Sequence, residues 1–426
     1  MANNNLDIIR PNDPRYSDVR DVYTATGSPA AVIRPRSAEE VAQALLLARQ
    51  TGGPLSIRSG GHGVSSISTN VGGTVIDLGA LNSIERVDPD GSLVRIGPGA
   101  RWGDVALALR PWDRAISSGD SGDVGVGGLA TTGGIGFMGR AHGLTIDRLV
   151  AIEIVTADGA IHSVDAGQQP DLFWAVRGAG PNIGIVTSLD FRAARVPAVA
   201  HVSLRYRVDR IAPFLRDWGE TAEAAPREVS AFLYLAAEGA EGYALATVVF
   251  AGDDGRAAER AIDPFRRIGE VLREDAALGP YAAVVTRTGE PHHGQQPGHL
   301  LNGFAVHLDG ELTEQLEWLL NGETGKLLQV RSVGGVINDV PAEATAFAHR
   351  HQNFSIAAYA PGPSPSFDAR WETVRRSLDG LYLNFESAFS PRRLTEAFPP
   401  ATLDRLREIK RKVDPDNVFN QNFPVV

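Results

Sequence analysis

Two glycine-dense segments hold the groups in this chain that could do chemistry. The first is RSGGHG, residues 58–63, which sets His62 among three glycines; the second is SGDSGDVGVGGLATTGGIG, residues 118–136. Glycine lets the main chain approach a ligand closely, and consecutive N–H groups in such loops form concavities that suit a pyrophosphate. Tight turns in a β-rich domain would give the same local composition. The two segments therefore predict either a phosphate-binding site or structural turns.

Other phosphate and metal sites are disfavoured by residue spacing. GETGK at 322–326 lacks the Walker A spacing and the Ser or Thr that should follow its lysine. GAGPNIG at 178–184 departs from Gly-x-Gly-x-x-Gly and comes late in the chain, which argues against a nicotinamide-binding Rossmann unit. His292, His293 and His299 lie in a Pro/Gln/Gly-rich stretch without helical spacing, which favours a surface loop over a metal site.

The composition restricts the class of protein and its partners. The 426 residues are enough for two or three domains, and a hydrophobic content of 43% is ordinary for a globular fold. A formal net charge of −10 argues against a nucleic-acid or anionic-membrane partner. The absence of cysteine excludes disulfides and thiolate metal sites and favours a cytoplasmic protein, and the N-terminal residues lack the pattern of a signal peptide. No apolar run is long enough to predict a membrane span.

Capping and turn signals predict the elements that position the glycine loops. Ser37 as N-cap, Glu40 in a capping box and Gly52 as stop predict a helix before the first loop. Strands are predicted at 54–58, 73–78 and 93–97, a hairpin at 149–165, and a strand at 183–191 after a short helix.

From about residue 196 the pattern changes, and glycine becomes less frequent. Six strand-like runs alternate with helices carrying arginine and glutamate, at 201–208, 229–236, 243–250, 303–308, 327–333 and 353–359. This pattern predicts an α+β domain on an antiparallel sheet. The last fifty residues predict a strand at GLYLNF, residues 380–385, and a helix at 402–412.

A set of motifs at both ends of the chain keeps one order. They are RSGGH at 58–62, VIDL at 75–78, GPGA at 97–100, WGDV at 102–105, GVGG at 125–128, PDLFWAVRGAG at 170–180, NIGIVTSLDF at 182–191 and LREIKRKVDPDNVFNQNF at 406–423. In this order they resemble the FAD-linked oxidases of the vanillyl-alcohol-oxidase superfamily, in its berberine-bridge-enzyme-like branch. The resemblance implies an α+β fold: a PCMH-type FAD-binding domain of two α/β subdomains, plus an inserted substrate domain with a helix-flanked antiparallel sheet. The implied boundaries are 1–195 and 377–426 for the FAD domain and 196–376 for the substrate domain.

The resemblance implies one FAD per chain, attached covalently through its 8α-methyl group to His62, with noncovalent binding as the alternative. Some relatives add a second link through a cysteine; Ser121 stands at that position and the chain has no cysteine, which excludes a double link. The positions that match the family's flavin contacts are Arg58, Ser59, Gly60, Gly61, His62, Gly63, Ser121, Val124, Gly125, Gly127, Gly128, Thr132, Gly133, Gly136, Asn182, Gly184, Ile185, Val186, Asn384, Asn420 and Asn422.

The implied reaction is hydride removal from a C–H bond next to oxygen or nitrogen, in an alcohol, amine or secondary-metabolite intermediate. Val124 matches a position where small residues accompany oxygen access, which favours an oxidase that makes H₂O₂. Tyr382 matches a tyrosine facing the flavin and is the expected base if a cation such as Arg350 lowers its pKa; Asp339 and Glu386 are the alternative bases. A dehydrogenase with another electron acceptor, or an inactive binding protein on the same fold, stays open. The expected partners are a small molecule and O₂, and the chain is expected to be a monomer or homodimer.

Overall fold

A four-stranded sheet and its covering helix carry the first glycine loop. The computed structural model describes residues 6–238, 241–289, 294, 298–321 and 326–426. The strands are β1 (Ile8–Ile9), β2 (Ala31–Ile33), β3 (Leu55–Arg58) and β4 (Thr74–Asp77), in the order β1-β2-β4-β3. β4 pairs in parallel with both β2 and β3. The loop therefore leaves the carboxyl end of a parallel strand.

Helix α2 (Ala38–Thr51), preceded by the short α1 (Tyr16–Val19), confirms the predicted N-cap at Ser37 and the predicted stop at Gly52. The Ser37 hydroxyl accepts the Glu40 N–H at 3.2 Å, and the helix ends at Gly52, whose φ is +75°. The Glu40 carboxylate returns to the N–H of Arg36 at 2.8 Å, one residue before the expected partner. The cap thus closes one residue wider than the standard box.

A second, antiparallel sheet carries the long glycine loop between its strands. Its order is β5-β6-β10-β8-β9, formed by β5 (Ile84–Arg86), β6 (Leu93–Ile96), β8 (Leu149–Val155), β9 (Ile161–Asp165) and β10 (Ile185–Arg192), while β7 (Arg114–Ala115) pairs with β11 (Ala194–Arg195). The predicted hairpin is confirmed as β8 and β9. The helices are α3 (Trp102–Leu109), α4 (Val126–Leu129), α5 (Gly139–His142) and α6 (Pro170–Ala179).

The third sheet is antiparallel throughout and has seven strands. They are β12 (Val199–Val208), β13 (Val229–Glu238), β14 (Glu241–Phe250), β15 (Glu270–Gly279), β16 (His299–Ala305), β17 (Leu327–Ser332) and β18 (Phe354–Ala360), in the order β15-β12-β14-β13-β17-β18-β16. Helices α7 (Ile211–Ala224), α8 (Gly255–Ile262), α9 (Gly310–Leu320), α10 (Val336–Asp339) and α11 (Pro365–Arg375) accompany it. Sequence reasoning missed β15, whose residues are mostly exposed and include the charged run Arg273–Asp275.

The C-terminal segment returns to the core of the second sheet. Helix α12 (Pro391–Ala397) and helix α13 (Pro400–Val413) contribute side chains to the same apolar cluster as Trp102 and Trp174. The predicted strand at 380–385 is wrong: residues Leu383–Phe385 form a 3₁₀ turn. Gly380 has a φ of +80°, which interrupts the extended backbone. The Tyr382 N–H donates to the Asn302 side chain at 2.7 Å instead of to the backbone carbonyl of a neighbouring strand. The domain boundaries at 195/196 and 376/377 stay a prediction.

Within the described ranges, no helix combines the length and the apolar character that crossing a bilayer requires.

Candidate active site

A cavity of about 850 Å³ opens where the two glycine loops, the C-terminal tail and the third sheet meet. Its volume lies in the range of cofactor and small-molecule sites. Glycine loops line one part of it and polar side chains of β13 and β17 line another. Among these side chains are Tyr234, Gln329 and Arg331. The arrangement places an anion-binding backbone and a polar pocket in one space.

The two glycine loops touch through their backbones. A Cβ on Gly60 would lie 2.5 Å from the Gly125 nitrogen, and a Cβ on Gly125 would lie 2.3 Å from the Gly60 nitrogen. Nη1 of Arg101 donates to the carbonyls of both Gly60 and Asp123 at 2.6 Å. Only glycine permits this approach, and Arg101, which sequence reasoning missed, joins the two loops.

His62 lines the cavity with its ring stacked on Tyr23, the centroids 4.3 Å apart and the planes at 10°. Burial lowers the pKa of the imidazole, and the nearby Arg101 cation lowers it further. The ring is therefore neutral near pH 7. A neutral imidazole has a nitrogen lone pair available for a covalent bond to a cofactor.

The C-terminal tail is fixed by Lys410. Its ammonium donates to the carbonyls of Asn182 (3.0 Å) and Phe419 (2.7 Å) and pairs with Asp414 at 2.6 Å. This clamp brings the residues after Phe419 to the cavity wall, and Asn420 is among them.

Tyr382 lies at the cavity with its hydroxyl group engaged. The phenol oxygen accepts the Gly134 N–H at 2.8 Å and the Asn384 amide at 2.6 Å. Burial raises the pKa of Tyr382, against these hydrogen bonds and the Arg331 cation. A phenol whose pKa is raised is a poor base near neutral pH.

The expected role of Arg350 is wrong. Its guanidinium forms a two-pronged pair with Asp147, both contacts 2.8 Å, and does not line the cavity among the described residues. The cation that acts on Tyr382 is Arg331. The prediction failed because a sequence does not show which buried arginine already has a carboxylate partner.

The structure does not bring the two alternative bases to the site. Asp339 is exposed and pairs with Arg227 at 3.0 Å. Glu386 is fully buried, pairs with Arg393 and accepts the Asn302 amide at 3.2 Å. Neither is among the described residues that line the cavity. Both carboxylates are therefore paired with arginines away from the cavity.

Sequence reasoning missed an acidic group that does reach the cavity. Oδ2 of Asp120 accepts hydrogen bonds from Tyr234 (2.7 Å), Arg331 Nη2 (2.8 Å) and Gln329 (3.3 Å). Burial opposes ionisation of Asp120, but Arg331 and the Tyr234 hydroxyl outweigh it and lower the pKa of this carboxyl. The signal was present, because Asp120 directly precedes Ser121 in the second loop.

Most positions predicted to bind the cofactor line the cavity. They are Ser59, Gly60, Gly61, His62, Gly63, Ser121, Val124, Gly125, Gly127, Gly128, Thr132, Gly184, Ile185, Val186, Asn384, Asn420 and Asn422. The predicted contacts that do not line it are Arg58, Gly133, Gly136 and Asn182.

The positions that do not line the cavity support the loops around it. Arg58 pairs with Asp77 at 2.9 Å, and the Asn182 amide donates to the Asn422 carbonyl at 3.0 Å. Gly133 packs on Tyr382, and a Cβ on Gly136 would overlap the Ser118 carbonyl. They therefore hold the binding loops and do not themselves reach the cavity.

No metal cluster is found within the described residues. His299 hydrogen-bonds Asp368 at 2.6 Å, and His292 and His293 lie outside the described part of the chain, as do residues 322–325.

The cavity fits FAD at its glycine loops. A Cβ on Gly63 or Gly128 would meet no described heavy atom within 4 Å, although both residues border the cavity. A side chain at either position would therefore project into the cavity and occupy space that is open to a cofactor. With the neutral His62 nearby, the loops suit a pyrophosphate and a flavin ring.

Comparisons with known proteins agree with this fit. A family model described as an FAD binding domain matches residues 29–165, and one described as berberine and berberine like matches residues 381–425. The chain is 27% identical to (R)-6-hydroxynicotine oxidase of Paenarthrobacter nicotinovorans, over 98% of this chain and 96% of that protein.

Two solved structures share the fold. The xylooligosaccharide oxidase of Myceliophthora thermophila in complex with xylobiose has a TM-score of 0.87 at 24% identity, covering 99% of this chain and 97% of that one. The glucooligosaccharide oxidase of Acremonium strictum, whose FAD is described as 6-S-cysteinyl, 8α-N1-histidyl, has a TM-score of 0.84 at 22% identity, covering 99% and 97%.

Proposed function

Because the chain is an FAD-linked oxidoreductase of the berberine-bridge-enzyme-like branch of the vanillyl-alcohol-oxidase superfamily, we propose that it oxidises a small organic molecule at a C–H bond next to oxygen or nitrogen. The observation that carries this proposal is the single cavity in which the glycine loops face the polar side chains of β13 and β17. One part suits the cofactor, and the other part offers hydrogen bonds to a substrate.

FAD, when bound, supplies the hydride acceptor and passes the electrons on to O₂. The chain's own residues would hold FAD in the cavity, which is lined by the loops around Gly60 and Gly125 and by the tail at Asn420. We propose a single covalent bond at His62, supported by its neutral imidazole. No second bond forms, because Ser121 has no thiol.

We propose O₂ as the electron acceptor, with H₂O₂ as product. Val124, the residue expected to govern oxygen access, lines the cavity beside Gly125. The alternative is a dehydrogenase that excludes O₂. Of the bases predicted from sequence, only Tyr382 lines the cavity within the described chain, and burial raises its pKa.

The test is anaerobic mixing of the purified yellow protein with a panel of reductants. Xylobiose, 6-hydroxynicotine and a set of cyclic and aromatic alcohols cover C–H bonds next to oxygen and next to nitrogen. Bleaching of the flavin by at least one compound, followed by rapid recovery of absorbance and H₂O₂ release on mixing with O₂, is the expected result. A reduced flavin that persists for minutes in air would favour the dehydrogenase, and no bleaching by any compound would contradict the function.

We expect the enzyme in the cytoplasm as a monomer or homodimer. Size-exclusion chromatography with light scattering tests the oligomeric state, and fractionation of the source cells tests the compartment.

A further inference from the structure

We propose that Asp120 is the catalytic residue that accepts the proton of the substrate's hydroxyl group, and that the substrate is an alcohol or hemiacetal whose O–H is on the carbon that is oxidised. This inference rests on the oxidase function proposed above. It adds a residue that the sequence analysis did not single out.

The two oxygens of the Asp120 carboxylate differ in their surroundings. Oδ2 receives the Tyr234 hydroxyl, the Gln329 amide and two nitrogens of Arg331. No side-chain donor of the described residues reaches Oδ1. The side chain keeps 17% of its surface exposed, and it lines the cavity. One oxygen is therefore held in place while the other is available to a bound molecule.

The support behind Asp120 is rigid. The Arg331 side chain is 2% exposed, and its guanidinium carbon lies 4.0 Å above the Phe385 ring. Asp120 is on the second glycine loop, residues 118–136, and Arg331 is on β17, so this pair also fixes the loop against the sheet. A proton acceptor gains from being held in one orientation.

The charged and titratable groups around Asp120 favour its ionised form. Arg331 from β17 is the nearest cation, and Tyr234 from β13 donates its hydroxyl. Tyr281 and His62 also interact electrostatically with Asp120, and the His62 imidazole is neutral near pH 7. Asp120 therefore stays a carboxylate across the neutral range.

The proposed step balances in protons and electrons. The substrate's C–H bond breaks and its electron pair leaves with the hydrogen as hydride to FAD. The substrate's O–H bond breaks, its proton bonds to Oδ1 of Asp120, and a C=O bond forms. As hydride leaves, the hydroxyl takes on the character of a protonated carbonyl, which is more acidic than a carboxylic acid. A carboxylate of low pKa is then a sufficient base.

An amine substrate fits this site less well. A carboxylate beside an amine stabilises its protonated ammonium form. The ammonium nitrogen has no lone pair to help expel hydride from the neighbouring carbon. An alcohol has no such competing form, so Asp120 favours oxygen over nitrogen as the neighbour of the oxidised carbon.

Tyr382 is a positioning residue in this scheme. Its oxygen already accepts two hydrogen bonds, from Gly134 and Asn384, and burial raises its pKa. If a Tyr382 phenolate were the base, the rate of flavin reduction would rise about tenfold with each unit of increasing pH until the pH reached the pKa of Tyr382. If Asp120 is the base, the rate is nearly constant across the neutral range. The pH profile thus separates the two residues.

The experiment is anaerobic stopped-flow reduction of the holoenzyme by xylobiose at saturation, from pH 5 to pH 9. Asp120→Asn keeps an oxygen for Arg331 and Tyr234 but cannot take up a proton, so reduction should slow by ~10²–10⁴-fold. Asp120→Glu should recover much of the rate because it restores the carboxylate. The intact mass and flavin absorbance of each variant should equal those of the wild type apart from the substitution.

Asp147→Asn is the matched control. Asp147 pairs with a buried arginine, Arg350, at 2.8 Å, and does not line the cavity among the described residues. Like Asp120→Asn, it should lower thermal stability because it weakens a buried ion pair. It should keep the reduction rate within about twofold of the wild type because the Asp147 side chain lies outside the cavity.

Two results would overturn the assignment of Asp120. One is a wild-type rate in Asp120→Asn; the other is a wild-type rate that rises steeply with pH and is lost in Tyr382→Phe. Reduction of the wild type by 6-hydroxynicotine but by no alcohol or sugar would overturn the substrate class. If no compound reduces the wild-type flavin, the proposed function itself fails, and this inference fails with it.

Discussion

Replacing Lys410 by methionine should loosen the C-terminal tail and destabilise the protein. The ammonium is nearly fully buried and makes three contacts, to Asn182, Phe419 and Asp414, of 2.6–3.0 Å. Methionine fills a similar volume but supplies no donor. The change therefore removes the charge and its hydrogen bonds with little loss of packing.

The expected cost follows from what is left behind. The Asp414 side chain is 0% exposed and would lose its cation. Breaking a buried pair by removing one partner costs ~3–5 kcal/mol. Two backbone N–H groups, of Val418 and Phe419, still donate to Asp414 at 2.8 and 2.9 Å, which places the cost at the low end. A loss of ~3 kcal/mol in a chain of this size lowers Tm by roughly 3 °C, because the entropy of unfolding grows with chain length.

Thermal unfolding followed by circular dichroism and by flavin fluorescence is the assay. The flavin signal should change first, because residues 419–422 line the cavity. The double variant Lys410→Met/Asp414→Asn should recover part of the loss, since it removes both charges. A single variant within ~1 °C of the wild type, or a double variant less stable than the single one, would refute the clamp.

Three further predictions concern the cofactor loops. His62→Ala should abolish the covalent flavin, so that acid precipitation leaves a colourless protein of unmodified mass; a yellow precipitate would place the bond elsewhere. Val124→Leu should slow reoxidation of the reduced flavin by roughly tenfold, or ~1.4 kcal/mol in the barrier, in stopped-flow mixing with O₂; an unchanged rate would contradict its role in oxygen access. Burial raises the pKa of Asp123, but hydrogen bonds from Thr288 outweigh it and lower the pKa to about 2. The stability from this carboxylate is thus present above its ordinary pKa and lost as pH falls towards 2, so Asp123→Asn should cost ~1 kcal/mol at pH 7 and little at pH 2; equal Tm differences at both pH values would contradict it.

Local signals predicted much of the fold and part of the site. The Ser37 cap and the Gly52 stop bound a real helix, and alternating apolar residues predicted six of the seven strands in the third sheet. Local patterns failed where a backbone N–H donates to a residue far away in the sequence. The Tyr382 N–H, predicted to join a strand, donates to Asn302, eighty positions away.

The sequence by itself indicated the cofactor class through the order of its motifs, which resembles that of FAD-linked oxidases. The glycines around His62 and Gly125 alone predicted only a close backbone approach, either to a phosphate or in tight turns. It also excluded a second flavin bond, because the chain has no cysteine.

Only the tertiary structure decided which ionisable groups are available at the site. Asp120 finds Arg331 more than two hundred residues away, and Arg350 is taken by Asp147 across a similar separation. Charge pairing depends on distance and burial in space, and the chain order of these residues carries no information about either. The same residue types could therefore have placed a base at Asp339 or Glu386, and only the packing of β13 and β17 over the second loop brings Asp120 to the cavity.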